Sequence, residues 1–361
     1  MEDLPVSDEL VIQSHRGAYT VDFAAAPLAN PARLMDRESH FLLDANVARI
    51  YAKQLAAILE RPTTILIDAV EDNKSIERVI PVLHRMVANK VRRDHVLVAV
   101  GGGIVQDITC FVASTLLRGL TWHFVPTTLL SQADSCIGSK SSINLGDTKN
   151  ILGTFNPPEK IFLDSGFLET LDLRDIRSGI GEILKVHAID GMESFDRLAR
   201  DFGRLTSDRA MLLRYIRAAL EIKKRYIEVD EFDQGVRNVF NYGHSFGHAI
   251  ESATHYGVPH GIAVTMGMDM ANGIAVQRGL VRADQDRRMH SVLRANYEAF
   301  AATQIDVDGL LGALMKDKKN TTTALRLIFP VGDKAEIKRI EVSPDADFRN
   351  QCMDSLKRMS A

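Results

Sequence analysis

Short β-branched runs alternate with helical patterns through the first half of the chain. Four runs, at 64–69, 95–100, 122–125 and 160–164, have the length and composition of buried strands. Between the first two, Ser75 is a good N-cap, and apolar residues from Ile76 to Val87 recur every three to four positions, with Pro81 about one turn inside. Strands that alternate with helices predict a parallel sheet with crossover helices.

Long helical patterns dominate the second half, after the run that ends at Asp164. A hairpin is predicted over 325–340, where two β-rich runs flank Val331-Gly332-Asp333. The helical patterns cover approximately 176–190, 209–231, 237–255, 261–279 and 284–302. The sequence therefore predicts an α/β domain over 1–168 and a mostly helical domain over 169–361.

Composition excludes several classes of protein. Apolar residues make up 45% of the chain and charged residues 25%, which is typical of folded globular proteins. Lys+Arg number 44 against 47 Asp+Glu, and no basic block is present, so we expect no nucleic-acid partner. No apolar stretch approaches the roughly 20 residues of a membrane span, and the acidic N-terminus does not resemble a signal peptide. Three widely separated cysteines fit no disulfide framework, so we expect a cytoplasmic protein.

A glycine turn follows the strand at 95–100. Gly101, Gly102 and Gly103 lead directly into a helical stretch, where backbone N–H groups at a helix N-terminus could bind a pyrophosphate. A purely structural tight turn accounts for the glycines equally well. The next strand ends at Thr127 and Thr128, and nucleotides bind along that edge of α/β sheets. The two loops together favour a nucleotide site.

A polar stripe is predicted within the helical pattern of 237–255. Its members, spaced to lie within about 60° on one helix face, are Arg237, Asn241, His244 and His248. Gly243 and Gly247 remove bulk one turn apart and permit close packing against another backbone. A solvated face is the alternative, but two glycines and two histidines make a poor surface helix. The stripe therefore favours a site.

Metal ligands and a phosphate site are also indicated. His244, His260 and Glu182, which lies three residues before Lys185, offer the two imidazoles and one carboxylate of a catalytic zinc site, although 11 histidines give many accidental pairs. Polar residues in glycine-rich loops suit a phosphorylated small substrate, although single lysines are usually solvated. These residues are Asp134, Lys140, Lys149 and Asn150.

In combination, these motifs resemble 3-dehydroquinate synthase and the wider sugar phosphate cyclase family. The similarity runs in order over nearly the whole chain and is loose only in the first 40 and last 25 residues. It rests on GGGIVQD at 101–107, VPTTLLSQADSCIGSK at 125–140, Lys149-Asn150, FLETL at 167–171, SGIGEILK at 178–185, the segment 237–248 with the following AIE, His260-Gly261, and DKK at 317–319. The resemblance implies a Rossmann-like N-terminal domain and an α-helical metal-binding C-terminal domain.

The resemblance also implies a role for each matching residue. NAD would be bound by Asp44, Glu71, Lys74, Gly102, Gly103, Asp107, Thr127, Thr128, Lys149, Phe167 and Thr170. Zinc or cobalt would be bound by Glu182, His244 and His260. The substrate would be bound by Asp134, Lys140, Asn150, Lys185, Lys223, Arg237, Asn241, His248 and one of Lys318 and Lys319, of which we favour Lys319. Arg118 would reach a neighbouring subunit of a homodimer.

The activity that the resemblance implies is a carbon–oxygen lyase reaction. A phosphorylated seven-carbon keto sugar acid, 3-deoxy-arabino-heptulosonate 7-phosphate, would be cyclised with loss of phosphate, as in the shikimate pathway of aromatic amino acid biosynthesis. Two alternatives are a cyclase acting on another ketose phosphate, such as sedoheptulose 7-phosphate, and a metal-dependent polyol dehydrogenase. A guanidinium matches a carboxylate, so Arg237 favours the sugar acid.

Six residues at four sites depart from the family pattern. Gln106 and Ser139 replace glycines, Ser141-Ser142 replaces Thr-Gly, and Val186-His187 replaces Tyr-Gly. None removes a catalytic group. They indicate a divergent branch of the family.

Overall fold

The computed structural model describes residues 8–146, 148–316 and 324–360, which form two compact units. The first unit contains the described residues up to Leu171 together with Lys223–Phe232. The second contains Asp172–Ile222 and the described residues from Asp233 onward. The segment Lys223–Phe232 belongs to the first unit although it follows 51 residues of the second, and no sequence pattern indicates this return.

A seven-stranded sheet forms the centre of the first unit. The spatial order is β1-β2-β9-β6-β5-β3-β4, in which only the β1–β2 pair is antiparallel. The strands of this unit, including the separate hairpin β7–β8, are β1 (Glu9–Ile12), β2 (Tyr19–Asp22), β3 (Ser39–Asp44), β4 (Thr64–Ile67), β5 (Val96–Gly101), β6 (Thr121–Pro126), β7 (Lys140–Leu145), β8 (Thr148–Phe155) and β9 (Lys160–Phe162). The four predicted strands are confirmed as β4, β5, β6 and β9.

Four helices accompany this sheet: α1 (Ala45–Ile50), α2 (Ala56–Leu59), α3 (Ile76–Ala88) and α4 (Gly103–Thr115). The predicted helix after Ser75 is α3, and it continues through Pro81. Phe41, Val98 and Phe167 are buried in one hydrophobic cluster beside the sheet. Because α4 follows β5 immediately, its N-terminus lies at the carboxyl edge of the sheet.

The second unit is mostly helical, as predicted. Helix α9 is predominantly apolar and buried from Gly261 to Ala275, so it is the central helix. The helices are α5 (Leu173–Asp190), α6 (Met192–Asp201), α7 (Arg209–Ile227, whose last five residues belong to the first unit), α8 (His244–Ala253), α9 (His260–Gln277), α10 (Ala283–Tyr297), α11 (Val307–Lys316) and α12 (Ala346–Ser360). The predicted hairpin is confirmed as antiparallel β10 (Leu325–Val331) and β11 (Glu336–Val342).

Glycines bring α5 and α8 close to α9. A Cβ on Gly247 would lie 3.0 Å from the backbone nitrogen of Val264, and one on Gly181 would collide with the carbonyl of Gly261. The predicted close approach at Gly247 is therefore confirmed. It brings together the three helices that carry the candidate metal ligands.

The predicted continuous helix over 237–255 is wrong. A 3-10 helix over Val236–Asn241 ends before Gly243, which adopts φ 77° in the left-handed region, and α8 begins at His244. A side chain on Gly243 would collide with the carbonyl of Val264. Gly243 therefore breaks the helix instead of lying inside it. As a result, Arg237 and Asn241 do not share a helix with His244 and His248.

A buried histidine gives the second unit an expected acid sensitivity. His187 of α5 is 4% exposed, its Nδ1 lies 2.8 Å from the Ser194 hydroxyl, and burial lowers its pKa to about 4. The unfolded chain therefore binds more protons below about pH 6.5, and the stability that neutral His187 provides is lost as pH falls toward 4. We expect wild type to lose about 2 kcal/mol relative to His187→Gln between pH 7 and pH 5.

Urea unfolding at the two pH values measures this difference. His255→Asn is the matched control, because His255 is exposed in the same unit and its replacement should leave the pH dependence unchanged. Parallel pH profiles for wild type and His187→Gln would refute the prediction.

Candidate active site

Three histidines converge where α8 and α9 begin. His244 opens α8, His248 lies one turn later and His260 opens α9, and one ring nitrogen of each lies within 4.8 Å of the others. Glu182 Oε1 of α5 lies 3.8 Å from His244 Nε2 and 3.6 Å from His260 Nε2. The structure therefore brings together the predicted Glu182, His244 and His260, and it adds His248 to the same cluster.

The carboxylate of this cluster is buried. Glu182 is 1% exposed and pairs with Lys185, which is 2% exposed, and neither carboxylate oxygen has a hydrogen-bond donor in satisfactory geometry among the described residues. Burying an anion is costly unless cations compensate it. A divalent cation held by imidazole nitrogens and one carboxylate fits this environment, and the donor set suits zinc or cobalt.

A second carboxylate orients one of the imidazoles. His260 Nδ1 lies 3.3 Å from both oxygens of Glu251 on α8, which leaves Nε2 facing Glu182. Burial lowers the pKa of His260, but the hydrogen bond and charge of Glu251 outweigh burial and raise it overall. Outer carboxylates of this kind fix the tautomer and orientation of metal-binding histidines. Glu251 is the last residue of the AIE motif, but the sequence analysis predicted no role for it.

The glycine turn of the first unit leaves helix α4 open at its N-terminus. Gly102 is the N-cap, no described side chain caps the helix, and a Cβ on Gly102 would lie 3.0 Å from Thr128 Cγ2. A Cβ on Gly103 would meet no described atom within 4 Å, so the space beside that residue is open. Free N–H groups at a helix N-terminus in a glycine-lined cradle fit the pyrophosphate of a dinucleotide.

Three further residues predicted for the nucleotide lie at the same edge. Asp44 ends β3 and caps α1 by accepting a hydrogen bond from the Asn46 amide at 2.8 Å, while burial raises the pKa of its carboxyl. Thr127 is buried, and the Thr128 hydroxyl lies 2.8 Å from that of Ser131. The structure thus groups Asp44, Gly102 and Thr128 near the ends of neighbouring strands.

Lys74 is the centre of a charged cluster in this unit. Its Nζ lies 3.2 Å from Asp107 Oδ2, 2.9 Å from Asn150 Oδ1 and 3.8 Å from Glu71 Oε1. Burial raises the pKa of Asp107 to about 6, although the charge of Lys74 lowers it. Asn150, which the resemblance assigns to the substrate, therefore contacts Lys74 directly. Lys74 in turn contacts Asp107 and Glu71, and the resemblance assigns all three of these residues to NAD. Lys149 is exposed on β8.

Phe167 and Thr170 are joined by a residue that no sequence motif indicated. The Tyr51 hydroxyl lies 2.9 Å from Thr170 Oγ1 and donates to the carbonyls of Gly166 and Phe167. The Phe167 ring is 1% exposed and packs edge-on against Tyr51, with ring centroids 5.1 Å apart. Tyr51 therefore holds the 3-10 helix over Ser165–Thr170 in place.

Asp134 and Lys223 form a pair within the first unit. Lys223 Nζ lies 2.9 Å from Asp134 Oδ1 and donates to the Asp134 carbonyl at 2.6 Å. This contact joins the short segment Lys223–Phe232 to the rest of the unit. Lys140 is exposed at the start of β7.

Three more predicted residues lie within the described ranges: Arg118, Arg237 and Asn241. Arg118 ends a 3-10 helix with φ 68° and lines a cavity of about 400 Å³ with Arg16. Arg237 is 7% exposed, and Asn241 Nδ2 donates to the Asn238 carbonyl at 3.0 Å. Lys318 and Lys319 lie outside the described residues.

Comparison with known proteins identifies the family. The family model described as 3-dehydroquinate synthase N-terminal matches residues 64–178, and the one described as 3-dehydroquinate synthase C-terminal matches residues 179–320. The 3-dehydroquinate synthase of Alkaliphilus metalliredigens (strain QYMF) is 33% identical over 308 residues, which cover 84% of this chain and 86% of that protein. The chain belongs to the 3-dehydroquinate synthase family. The enzyme of that name from Sulfurovum sp. (strain NBC37-1) is 34% identical over 88% of this chain and 91% of its own length.

Solved structures place this 3-dehydroquinate synthase family member among the sugar phosphate cyclases. ValA, a 2-epi-5-epi-valiolone synthase from Streptomyces hygroscopicus subsp. jinggangensis 5008 with NAD+ and Zn2+ bound, is 30% identical with a TM-score of 0.82, covering 95% of this chain and 96% of its own. A 2-deoxy-scyllo-inosose synthase complexed with carbaglucose-6-phosphate, NAD+ and Co2+ shares the fold at 21% identity, with a TM-score of 0.80 and coverage of 97% and 99%. The predicted family and fold class are confirmed.

An iron-containing alcohol dehydrogenase from Thermotoga maritima shares the fold more distantly. It is 16% identical with a TM-score of 0.59 and covers 90% of this chain and 93% of its own. Membership of the 3-dehydroquinate synthase family, rather than the fold, therefore separates this chain from the dehydrogenases.

Within its described part, the chain has no helix long and apolar enough to cross a bilayer.

Proposed function

We propose that this chain is an NAD- and metal-dependent cyclase that converts 3-deoxy-arabino-heptulosonate 7-phosphate into 3-dehydroquinate with loss of phosphate. The observation that carries the proposal is the cluster of His244 and His260 around the buried pair Glu182 and Lys185 in a member of the 3-dehydroquinate synthase family.

Glu182, His244 and His260 would hold the metal, with Glu251 orienting His260. Zinc is the metal we favour, because the nitrogen-rich donor set suits it and ValA contains Zn2+. When bound, the ion polarises substrate oxygens as a Lewis acid. The ammonium of Lys185 beside Glu182 is suited to bind a substrate hydroxyl and to stabilise negative charge on its oxygen.

The first unit would hold NAD, which reversibly accepts a hydride from the substrate when bound. The backbone at Gly102 and Gly103 would bind its pyrophosphate. The other residues proposed to bind it are Asp44, Glu71, Lys74, Asp107, Thr127, Thr128, Lys149, Phe167 and Thr170. Because Phe167 is buried in the core, its contribution would come from its backbone.

Cationic and amide side chains would orient the substrate. Lys140, Asn150, His248 and Lys319 would bind the phosphate and stabilise it as it leaves after a neighbouring C–H loses its proton. Arg237, Lys223 and Asn241 would bind the carboxylate end, and Asp134 would hold Lys223 in place. Ring closure then needs chiefly that the opened chain be held in a suitable conformation.

A second candidate is a cyclase for sedoheptulose 7-phosphate. The similarity to ValA, at 30% identity over 95% of the chain, favours this alternative. Arg237 speaks against it, because a guanidinium matches a carboxylate and sedoheptulose 7-phosphate has no carboxylate. A polyol dehydrogenase would need no set of phosphate-binding lysines.

The redox balance of the reaction tests the proposal. Protein with divalent metal, substoichiometric NAD and the heptulosonate phosphate should release many phosphates per NAD without accumulating NADH, because a cyclase returns the hydride it removes. Inorganic phosphate and absorbance at the NADH band are followed together. Stoichiometric NADH without phosphate would identify a dehydrogenase, and faster phosphate release from sedoheptulose 7-phosphate would favour the second candidate.

We also propose a cytoplasmic homodimer in which Arg118 reaches the substrate of the neighbouring subunit. The cytoplasmic assignment is supported by Cys110, Cys136 and Cys352, which are free and buried. Burial raises the pKa of Cys110 to about 11, so this thiol is unreactive.

A further inference from the structure

A β-bulge in the hairpin of the first unit places Asn144 against another segment. Strands β7 and β8 pair regularly as far as Ile143 and Leu152, and the register shifts between Ile143 and Leu145. At the bulge the backbone amide of Asn144 turns away from β8 and donates to the Lys74 carbonyl at 2.7 Å, and Asn144 bridges to Ser75. Bulges redirect side chains in this way beside functional sites.

The side chain of Asn144 makes hydrogen bonds in two directions. Its Nδ2 donates to Glu71 Oε1 at 3.0 Å, and its Oδ1 accepts from the backbone amide of Asn150 at 2.9 Å. Asn144 is 5% exposed, whereas the Glu71 side chain is 38% exposed, so the buried Asn144 amide depends on these two partners for its hydrogen bonds. An amide supplies a donor and an acceptor in one planar group, whereas a carboxylate supplies only acceptors.

Asn150 depends on this support. Its backbone has φ 51°, a left-handed conformation that non-glycine residues adopt at a cost. In this conformation its Oδ1 accepts from Lys74 Nζ and from the Ser142 hydroxyl, each at 2.9 Å. The bond from the Asn150 amide to Asn144 therefore helps to hold Asn150 against Lys74.

We infer that Asn144 is a positioning residue that couples the nucleotide-side residues Glu71 and Lys74 to Asn150 on the phosphate side. The roles of those three residues rest on the proposed function. Asn144 itself touches neither substrate nor cofactor in this assignment. It fixes one carboxylate and one backbone amide so that the Lys74 ammonium meets Asn150 in a single arrangement.

Asn144→Ala should weaken NAD binding about 10- to 100-fold, measured by titration with NAD alone. The loss follows because the Asn150 amide loses its acceptor and Glu71 loses the Asn144 donor, so the arrangement around Lys74 is no longer fixed. The amide of Asn150 should also exchange its hydrogen at least about tenfold faster, since its acceptor is gone. Asn89→Ala is the matched control, because exposed Asn89 only donates to the Pro62 carbonyl. Unchanged NAD affinity together with unchanged exchange at Asn150 would overturn the inference.

Asn144→Asp adds a readout that a general loss of folding would not produce. The new carboxylate can still accept from the Asn150 amide, but it faces Glu71 as a like charge until the two share a proton. NAD affinity relative to wild type should therefore be lowest near pH 8 and recover toward pH 6. The charged groups facing this position are Glu71, Lys74, Asp107 and, near Gly146, Glu77. A pH-independent deficit would contradict the donor role of the Asn144 amide.

Failure of the proposed function would remain distinguishable. If the wild-type protein binds no NAD, the proposed function fails. The hydrogen-exchange rate of the Asn150 amide in Asn144→Ala then decides by itself whether Asn144 holds Asn150 in position. If wild type binds NAD and turns over no ketose phosphate, the affinity measurements still apply in full.

Discussion

Replacing His244 or His260 by alanine should leave the purified protein without its divalent metal and lower kcat/KM for the heptulosonate phosphate on the order of 10³-fold. Each imidazole is one of three proposed metal ligands, and each lies within 3.8 Å of Oε1 of the third, the buried Glu182. Removing one donor leaves too few for a stable site, and a Lewis acid contributes several kcal/mol to catalysis. Metal analysis by mass spectrometry and steady-state kinetics measure the two effects.

Three further variants separate the roles within the histidine cluster. His255→Asn, in the exposed connection between α8 and α9, should keep full metal content and activity. Glu251→Gln should weaken metal binding about 10- to 100-fold, as loss of an outer carboxylate does. His248→Ala should keep the metal and lose turnover if His248 binds phosphate. Full metal content in both His244→Ala and His260→Ala would refute the assignment.

The parts of the fold that could be predicted are those whose signal is local. Buried parallel strands such as β5 are continuous apolar runs, and α9 is a long, predominantly apolar segment, so pattern alone identifies them. The break at Gly243 could not be predicted, because spacing fits one helix and the left-handed backbone is imposed by the tight packing against Val264. Tertiary packing here overrides helical periodicity.

The same distinction applies to the candidate site. Glu182, His244 and His260 are identifiable because metal-binding residue types are few and the motif around each resembles a known family. Asn144, Tyr51 and Glu251 could not be identified from the sequence, because each acts through another residue. These residues contact their partners, Asn150, Thr170 and His260, only because folding forms the bulge, the helix ends and the connecting loop. A linear pattern contains no signal for such contacts.

Arg237→Ala should lower kcat/KM for 3-deoxy-arabino-heptulosonate 7-phosphate about 10- to 100-fold. Arg237 is 7% exposed on the 3-10 helix over Val236–Asn241, where a guanidinium can bind a carboxylate through two parallel hydrogen bonds. Losing a charge-assisted pair removes about 1.5–3 kcal/mol of transition-state stabilisation. Steady-state kinetics with both the heptulosonate and sedoheptulose 7-phosphate measure the change.

The comparison of substrates decides whether Arg237 recognises the carboxylate. Sedoheptulose 7-phosphate has no carboxylate for Arg237 to bind. In Arg237→Ala, its weak turnover should therefore change less than the turnover of the heptulosonate. Arg237→Lys keeps the charge but loses the bidentate geometry, and it should fall between alanine and wild type. Arg287→Ala, an exposed replacement on α10, should change neither. An equal loss with both substrates would assign Arg237 a structural role, and a wild-type preference for sedoheptulose 7-phosphate would favour the second candidate function.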